Sequence, residues 1–195
     1  MNLSALRIAD DPDRWRALGF ELHDAAAAVG AVTLELGAEG SGITAWAVDG
    51  LLQELDGLQR FEPADAQAPS DHVNGAIAID QVVVLTPNFD RTAQALEQHE
   101  IPLKRVRDGG GFRQGFRRLG PAILELVEAR NEDQGKPARF WGLVVIVPDL
   151  HELKEQLGEL LGTPTNAVQA GRQIAVVRRG AGLSTRLAFM TPEPG

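Results

Sequence analysis

Glu125 is the side chain of this sequence best suited to chemistry, because it stands in the apolar run Ile123-Leu124-Glu125-Leu126-Val127. Burying a charged carboxylate without a partner or a ligand costs several kcal/mol. Apolar surroundings raise the pKa of such a group, which suits a general base acting on a carbon acid, or an anchor for a cation. The alternative role is a structural ion pair with an arginine of residues 113–118.

Four further side chains are candidate ligand-binding residues. Gln81 could orient a ligand carbonyl, or it could hydrogen-bond to backbone at the end of a strand. Trp141 could stack on a ligand, although tryptophans of small domains mostly belong to the core. Arg113 could bind an anion through two parallel hydrogen bonds, or it could stand solvated at a strand edge. Arg186 could be a third polar anchor.

Composition excludes several classes of function. The 195 residues include no cysteine, which excludes disulfides, zinc–thiolate sites, iron–sulfur clusters and cysteine nucleophiles. The formal charge of −8 is not the electrostatic footprint of a general nucleic-acid binder. No apolar run approaches the roughly 20 residues of a membrane span, and the first residues lack a signal-peptide pattern. We therefore expect a cytoplasmic protein with no nucleic-acid or membrane partner.

The acidity lies at one end of the chain. Residues 1–72 carry 4 basic and 13 acidic side chains, whereas residues 73–195 carry 15 basic and 14 acidic ones. The change falls within residues 61–74, which are rich in Pro, Ala, Asp and Ser and are predicted to be a linker. A basic cluster follows, and it favours either a solvated strand edge or an anion-binding patch. Its members are Lys104, Arg105, Arg107, Arg113, Arg117 and Arg118.

An internal repeat organises the second part of the chain. Hydrophobic periods and glycine turns predict the order β-α-β-β-β over residues 75–130 and again over residues 138–192. The predicted elements of the first copy are Ala78–Leu85, helix Asp90–Gln98, Ile101–Val106, Gly111–Leu119 and Ala122–Glu128. Those of the second are Trp141–Val147, helix Leu150–Leu161, Asn166–Gln169, Arg172–Arg178 and Ser184–Met190. The pair Arg113-Gln114 is echoed by Arg172-Gln173.

Residues 1–60 could be a shortened third copy. Strands are predicted at Ala5–Ile8, Val32–Leu36 and Ile43–Val48. A helix capped at Asp10-Asp11-Pro12 is expected to run through Leu18, and a second helix is predicted at Leu51–Leu58.

The tandem repeat resembles the vicinal oxygen chelate superfamily, which includes glyoxalases, bleomycin resistance proteins and ring-cleaving dioxygenases. The matching stretches are Ile79-Asp80-Gln81-Val82-Val83-Val84, Ile123-Leu124-Glu125-Leu126-Val127-Glu128 and Val145-Ile146-Val147-Pro148-Asp149. The resemblance covers residues 76–192 well and residues 1–50 weakly. It implies an α+β fold in which tandem β-α-β-β-β modules form a cupped, mostly antiparallel sheet, with helices outside and the ligand inside the cup.

The resemblance also implies a metal site, of which this chain has half. The family takes a ligand from the first and last strands of each module, and the first module supplies Gln81 and Glu125 at those positions. The second supplies Gly142 and Ala188, which have no ligating side chain. Two protein ligands hold a divalent cation weakly. We expect no cofactor, with a divalent metal as the alternative, and we expect the four histidines to face solvent.

Alternation along the strands predicts an apolar, roomy cup. If Glu125 faces inward, Ile123 and Val127 share its face while Leu124 and Leu126 pack beneath a helix. One carboxylate, one amide and Arg186 would then be the polar anchors of a mainly apolar cavity, which suits a small organic ligand.

The leading prediction is a glyoxalase-like small-molecule-binding protein, or an enzyme of unassigned substrate, without the family's full metal site. A binding protein would resemble resistance proteins, whose cup sequesters a drug. The first alternative is a metal-dependent lyase, isomerase or dioxygenase, completed across a homodimer interface or by His23 or Glu35 of the N-terminal part. The second is a regulatory or structural interaction protein that uses the acidic N-terminal third as its contact surface.

Overall fold

Two β-sheets and three α-helices form this chain, as seen in a computed structural model that describes residues 1–63, 70–109 and 111–194. The four-stranded sheet has the order β2-β3-β1-β4, with strands β1 (Leu3–Ile8), β2 (Ala26–Val29), β3 (Val32–Glu35) and β4 (Ile43–Val48). The eight-stranded sheet has the order β10-β11-β12-β9-β5-β8-β7-β6. Its strands are β5 (Ala78–Thr86), β6 (Arg105–Gly109), β7 (Phe112–Leu119), β8 (Ala122–Glu128), β9 (Arg139–Ile146), β10 (Thr165–Asn166), β11 (Gln173–Val176) and β12 (Arg186–Met190).

Three α-helices accompany the sheets: α1 (Pro12–Ala17), α2 (Phe89–Gln98) and α3 (Leu150–Leu157). Short 3₁₀ helices follow at Gly158–Leu160 and Arg179–Ala181. Side-chain caps define where the longer helices begin, because the Asn88 side chain accepts from Arg91 N, and the Asp149 side chain accepts from His151 N and Glu152 N. None of the helices in the described ranges is long and apolar enough to cross a membrane.

The eight-stranded sheet consists of two β-α-β-β-β units joined edge to edge. In each unit the first strand runs parallel to the last, β5 beside β8 and β9 beside β12. The antiparallel pair β5–β9 joins the units, and the remaining neighbouring pairs are antiparallel. The predicted fold class, tandem modules in a mostly antiparallel sheet with helices outside, is confirmed.

The two faces of this sheet differ as strand alternation requires. Leu124 and Leu126 are fully buried in the main core, which also contains Phe89 and Leu96 of α2. Glu125 and Val127 point to the opposite face and line a cavity. The sequence period therefore predicted correctly which side of β8 the helix covers.

Several local predictions were wrong for identifiable reasons. Leu51–Leu58 is not a helix, because Asp56 and Gly57 both have positive φ (44° and 90°) and reverse the chain, so that Leu55 and Leu58 form a β-bridge. The strand predicted at Ile101–Val106 begins only at Arg105, after Pro102, which lacks a backbone N–H. Strand β2 was missed because it is alanine-rich, and alanine has a low β-propensity.

The echo between Arg113-Gln114 and Arg172-Gln173 is offset by one residue. Gln114 pairs with Val127, which lies two residues after Glu125, and Ile174 pairs with Met190, which lies two residues after Ala188. The residue that corresponds to Arg113 is therefore Gln173. The expectation that Arg113 and Arg172 are equivalent was wrong.

The four-stranded sheet shares its register and both of its irregularities with β5, β8 and β9. Strand β1 is parallel to β3 and antiparallel to β4, as β5 is to β8 and β9. In the β1–β4 pair Ser4 has no partner, and in the β5–β9 pair Asp80 has none at the corresponding place. On the partner strands, Thr44 of β4 and Trp141 of β9 are likewise without a partner in these pairs.

Residues 61–74 include 64–69, which lie outside the described residues, and the flanking residues pack against the four-stranded sheet. Asn74 is buried, and its side chain donates to Leu18 O at 2.9 Å. His72 is also buried, with Nδ1 accepting from Glu21 N and Nε2 beside Ala28 O. The expectation that every histidine faces solvent was therefore wrong for His72.

Candidate ligand-binding cup

A cavity of about 470 Å³ opens on the Glu125 face of the eight-stranded sheet. Its volume is in the usual range for small-molecule sites. Most of its lining is apolar, from Val83, Leu85, Phe112, Val127, Leu143, Val144, Ile174, Val176, Leu187 and Ala188. The polar or amphipathic lining residues are Gln81, Gln114, Glu125, Trp141 and Arg186. We call this cavity the cup.

Strand register fixes the order of side chains across the cup. Arg186 pairs with Gly142, Gly142 with Val83, and Val83 with Glu125. These residues form one row across β12, β9, β5 and β8. Three strand spacings of 4.7–4.9 Å put the backbones of Arg186 and Glu125 roughly 14 Å apart along the sheet. The cup therefore has a cation at one end of this row and a carboxyl group at the other.

The Glu125 carboxyl group is held by an amide and not by an arginine. Gln114 Nε2 donates to Glu125 Oε1 at 2.7 Å across the β7–β8 pair. Burial raises the pKa of Glu125, while the Gln114 hydrogen bond and the charge of Arg107 act in the opposite direction. The structural ion pair with an arginine of residues 113–118 is not formed. A carboxyl group in this setting can accept from or, when protonated, donate to a bound molecule.

Gln81 presents an amide to the cup. Its side chain is only 6% exposed, and it has no hydrogen-bond partner in the part of the chain that the structure describes. Beside it the second module closes the cup floor, because Val144, Ala188 and Met190 pack together as a small cluster with Ile174.

Trp141 reaches the cup because of a β-bulge. Val83 pairs with Gly142 and Val84 with Phe140, so Trp141 is the extra residue of β9. A bulge of this kind re-aims the side chain that it carries. Trp141 is 49% exposed, and the exposed side chains of Phe112 (40%) and Val176 (54%) line the same cavity.

Arg113 does not lie in the cup. Its guanidinium binds Asp90 at 2.7 Å and Glu128 at 3.1 Å, and it lies 4.6 Å from the ring centroid of Phe89. The hydrogen bond from Arg113, together with one from Arg130, lowers the pKa of Glu128 to about 2. Arg113 thus links β7 to α2 and to the end of β8. The structure brings together Gln81, Glu125, Trp141 and Arg186, but not Arg113.

Several cup residues escaped the sequence interpretation: Phe112, Gln114, Leu143, Ile174, Val176 and Leu187. Of these, Phe112 and Gln114 lie on one face of β7, which Phe116 shares by alternation. The spacing was visible in the sequence. Arg113, which lies between Phe112 and Gln114, points to the opposite face of the strand.

The cup residues do not fit the metal that the family resemblance implies. A Cβ added to Gly142 would lie 2.2 Å from Arg186 O, so this backbone leaves no room for a ligating side chain there. In the described ranges no group of three or more His, Asp or Glu residues could hold a metal ion. Neither alternative donor is in the cup, because His23 lies beside β2 and Glu35 is on β3, paired with Arg7.

Comparisons with known proteins support the fold. No protein-family model matches the sequence, and no curated protein matches it. A triply substituted 4-hydroxymandelate synthase from Streptomyces coelicolor superposes with a TM-score of 0.65 at 14% identity, covering 100% of this chain and 93% of that chain.

Methylmalonyl-CoA epimerase from Mycobacterium tuberculosis gives a TM-score of 0.49 at 15% identity, over 62% of this chain and 91% of that chain. The Streptomyces coelicolor epimerase bound to 2-nitronate-propionyl-CoA gives 0.46 at 13% identity, over 60% and 97%. The fold assignment is carried by the synthase, which spans the whole chain. The topology and this likeness together confirm the expectation from sequence: the chain has the fold of the vicinal oxygen chelate superfamily.

Proposed function

We propose that this chain is a glyoxalase-like protein that binds a small, largely apolar organic molecule in the cup without a metal ion. The observation that carries the proposal is that Phe112, Trp141 and Val176 line one cavity. All three are large apolar side chains that remain exposed, and such side chains, when clustered in a cavity, mark binding sites. A ligand that covers them removes apolar surface from water, which favours binding.

Polar groups in the cup would orient this ligand. The Gln81 amide and the second oxygen of Glu125 are the groups with unused hydrogen-bonding capacity on the floor. A buried polar group that gains a partner from the ligand no longer bears its full desolvation cost. Gln81 and Glu125 are therefore proposed to contact the ligand directly, and Gln114 to hold the Glu125 carboxyl group in place.

The metal-free form of the proposal is supported by Gly142. In the repeat, this glycine corresponds to Gln81, and its close approach to Arg186 O excludes any side chain. One carboxylate and one amide are too few ligands for a tightly held divalent cation.

Residues 1–60 are proposed to be a shortened copy of the module that has lost its cup. The shared bulges at Ser4 and Asp80, and at Thr44 and Trp141, support common ancestry. The corresponding face of the small sheet is covered by the chain's own Phe61, which packs on Ala5, Ala45 and Ala47 in a separate buried cluster. Complete modules over 75–130 and 138–192 would then carry the ligand site.

The proposal is tested by thermal unfolding of the purified chain in EDTA with N-phenyl-1-naphthylamine and 1-naphthaleneacetic acid as probes. Mass action predicts a stabilisation of about 2.7 kcal/mol at a ligand concentration 100 times Kd. Elemental analysis of the same preparation is expected to find no stoichiometric Mn, Fe, Co, Ni or Zn. If these metals stabilise the chain and neither probe does, the result would instead favour a metal-dependent enzyme.

A further inference from the structure

Arg186 is a charged cup residue with no assigned role in the fold. It is exposed at the first position of β12 and lines the cavity. Within 1–63, 70–109 and 111–194 its guanidinium has no hydrogen-bond or ion-pair partner. By contrast Arg113, Arg139 and Arg172 are each engaged by carboxylates. Arg186 is therefore available to an anion in the cup.

Strand β6, next to the β7 side of the cup, also carries basic residues on the cup face of the sheet. Strand alternation and the β6–β7 register place Arg105 and Arg107 on the same face as Phe116 and Gln114. The Arg107 guanidinium lies 5.5 Å from the ring centroid of Phe116, and its charge acts on Glu125. Cationic groups therefore stand at the β12 end of the cup, where Arg186 lines the cavity, and beyond its β7 end, where Arg107 lies against Phe116.

The only carboxyl group that lines the described cavity is Glu125. Distance limits the repulsion that it exerts on an anion held at Arg186. Its backbone lies three strands from Arg186, so the two charges do not neutralise each other directly. The cup therefore favours negative charge near β12, although the chain as a whole carries −8.

We infer that the cup selects an apolar molecule that carries a single oxyanion, with the oxyanion paired to Arg186 and the apolar body lying over Gly142 and Val83 toward Trp141. Gly142 has no side chain in the row between Arg186 and Val83, and Val83 and Trp141 line the same cavity as Arg186. A guanidinium binds a carboxylate or a sulfonate through parallel hydrogen bonds. This inference rests on the proposed binding function and specifies the class of ligand.

The test compares three molecules of nearly equal shape by isothermal titration at pH 7.5. They are 1-naphthaleneacetate, which is an anion, 1-naphthaleneacetamide, which is neutral, and 2-(1-naphthyl)ethylamine, which is a cation. The acid is expected to bind at least tenfold tighter than the amide, and the amine is expected to bind weakest. Arg186→Gln should reduce the affinity of the acid to that of the amide and leave the amide unchanged.

Arg179→Gln is the matched control, because Arg179 is an exposed arginine outside the cup and its loss changes the net charge equally. It should leave all three affinities unaltered. Glu125→Gln should strengthen binding of the acid, since it removes a negative charge from the cup and keeps a side chain of the same shape.

The inference is overturned if the three molecules bind with similar affinity, if the amine binds tightest, or if Arg186→Gln retains the preference for the acid. In each of these outcomes a molecule still binds, so the proposed binding function stands. If none of the three binds and N-phenyl-1-naphthylamine does not bind either, the proposed function fails together with the inference.

Discussion

Gly142 and Arg186 are register partners on β9 and β12, and a Cβ on Gly142 would lie 2.2 Å from the Arg186 carbonyl oxygen. Real Cβ atoms do not approach a backbone oxygen so closely. The floor of the cup is therefore bare backbone at this point. The same contact removes a position from which a metal ligand could project.

Gly142→Ala is expected to destabilise the fold by about 1–3 kcal/mol, because β9 and β12 must separate to admit the methyl group. Urea unfolding monitored by circular dichroism measures this change. Gly109→Ala is the control, since Gly109 also lies in a strand but a Cβ there has no neighbour within 4 Å. If the two substitutions cost the same, the close approach is not a real constraint.

Glu125 is expected to titrate above the ordinary range of a glutamate, because burial disfavours its charged form. A folded-state pKa above the unfolded value favours the folded chain at low pH, and this contribution is lost as pH rises through the folded pKa. Glu125→Gln should therefore stabilise the chain relative to wild type at pH 7, and the difference should shrink as pH falls to 4. Denaturant unfolding at both pH values measures the difference.

The Gln114 hydrogen bond offers a second check on Glu125. Gln114→Leu removes a donor to the ionised carboxylate, so the pKa of Glu125 should rise further. Carboxyl ¹³C NMR of the wild type and of this variant reports the titration directly. A Glu125 pKa at or below its ordinary value in the wild type would refute the assigned environment.

Asp10 joins the small sheet to the segment that leads into β12. It is 4% exposed, and its carboxylate accepts from Ser184 N and Ser184 Oγ, both at 2.6 Å, and from Trp15 Nε1 at 3.3 Å. Asp10→Ala should lower the free energy of unfolding by about 1–3 kcal/mol or more, because buried donors lose their acceptor.

Asp11→Asn is the matched control for Asp10. Asp11 is the exposed N-cap of α1, and asparagine caps helices about as well as aspartate. Its unfolding free energy should stay within roughly 0.5 kcal/mol of the wild type. An Asp10→Ala chain as stable as this control would show that the Ser184 contacts contribute nothing.

His72 is expected to make stability fall in mild acid. Burial lowers its pKa, while the Ala28 carbonyl and the charges of Glu21 and Asp71 oppose this. The unfolded chain therefore takes up the proton first, so stability is full above about pH 6.5 and declines below it. His72→Gln should remove this decline, and His23→Gln, at an exposed histidine, should retain it. The measurement is the free energy of unfolding of the wild type and both variants between pH 7.5 and 5. If it depends on pH in the same way in all three proteins, the prediction is contradicted.

Much of the fold was predictable because the modules follow simple hydrophobic periods. Strand β8 alternates, so Glu125 and Val127 could be assigned to one face and Leu126 to the other. The Asp56-Gly57 reversal was also readable, since Asp-Gly is a common hairpin turn. It was missed because four leucines between Leu51 and Leu58 match a helical period.

The rest of the site depends on three-dimensional relationships that sequence spacing does not encode. The bulge that aims Trp141 into the cup shows only in the pairing of β9 with β5. The partner of Glu125 is Gln114 because of the β7–β8 register. A slip of one residue would turn the Gln114 side chain to the opposite face of the sheet. Arg113 was chosen for its charge, and its place on the helix side follows from that same register.

The central claim, that the cup binds an apolar molecule without a metal, is tested most directly by fluorescence titration of N-phenyl-1-naphthylamine in EDTA. Two exposed valines make a matched pair, because Val176 lines the cup and Val168 does not. We predict one probe per wild-type chain, at least tenfold weaker binding to Val176→Trp and unchanged binding to Val168→Trp. Equal binding by the two variants, or binding only after a divalent metal is added, would contradict the claim.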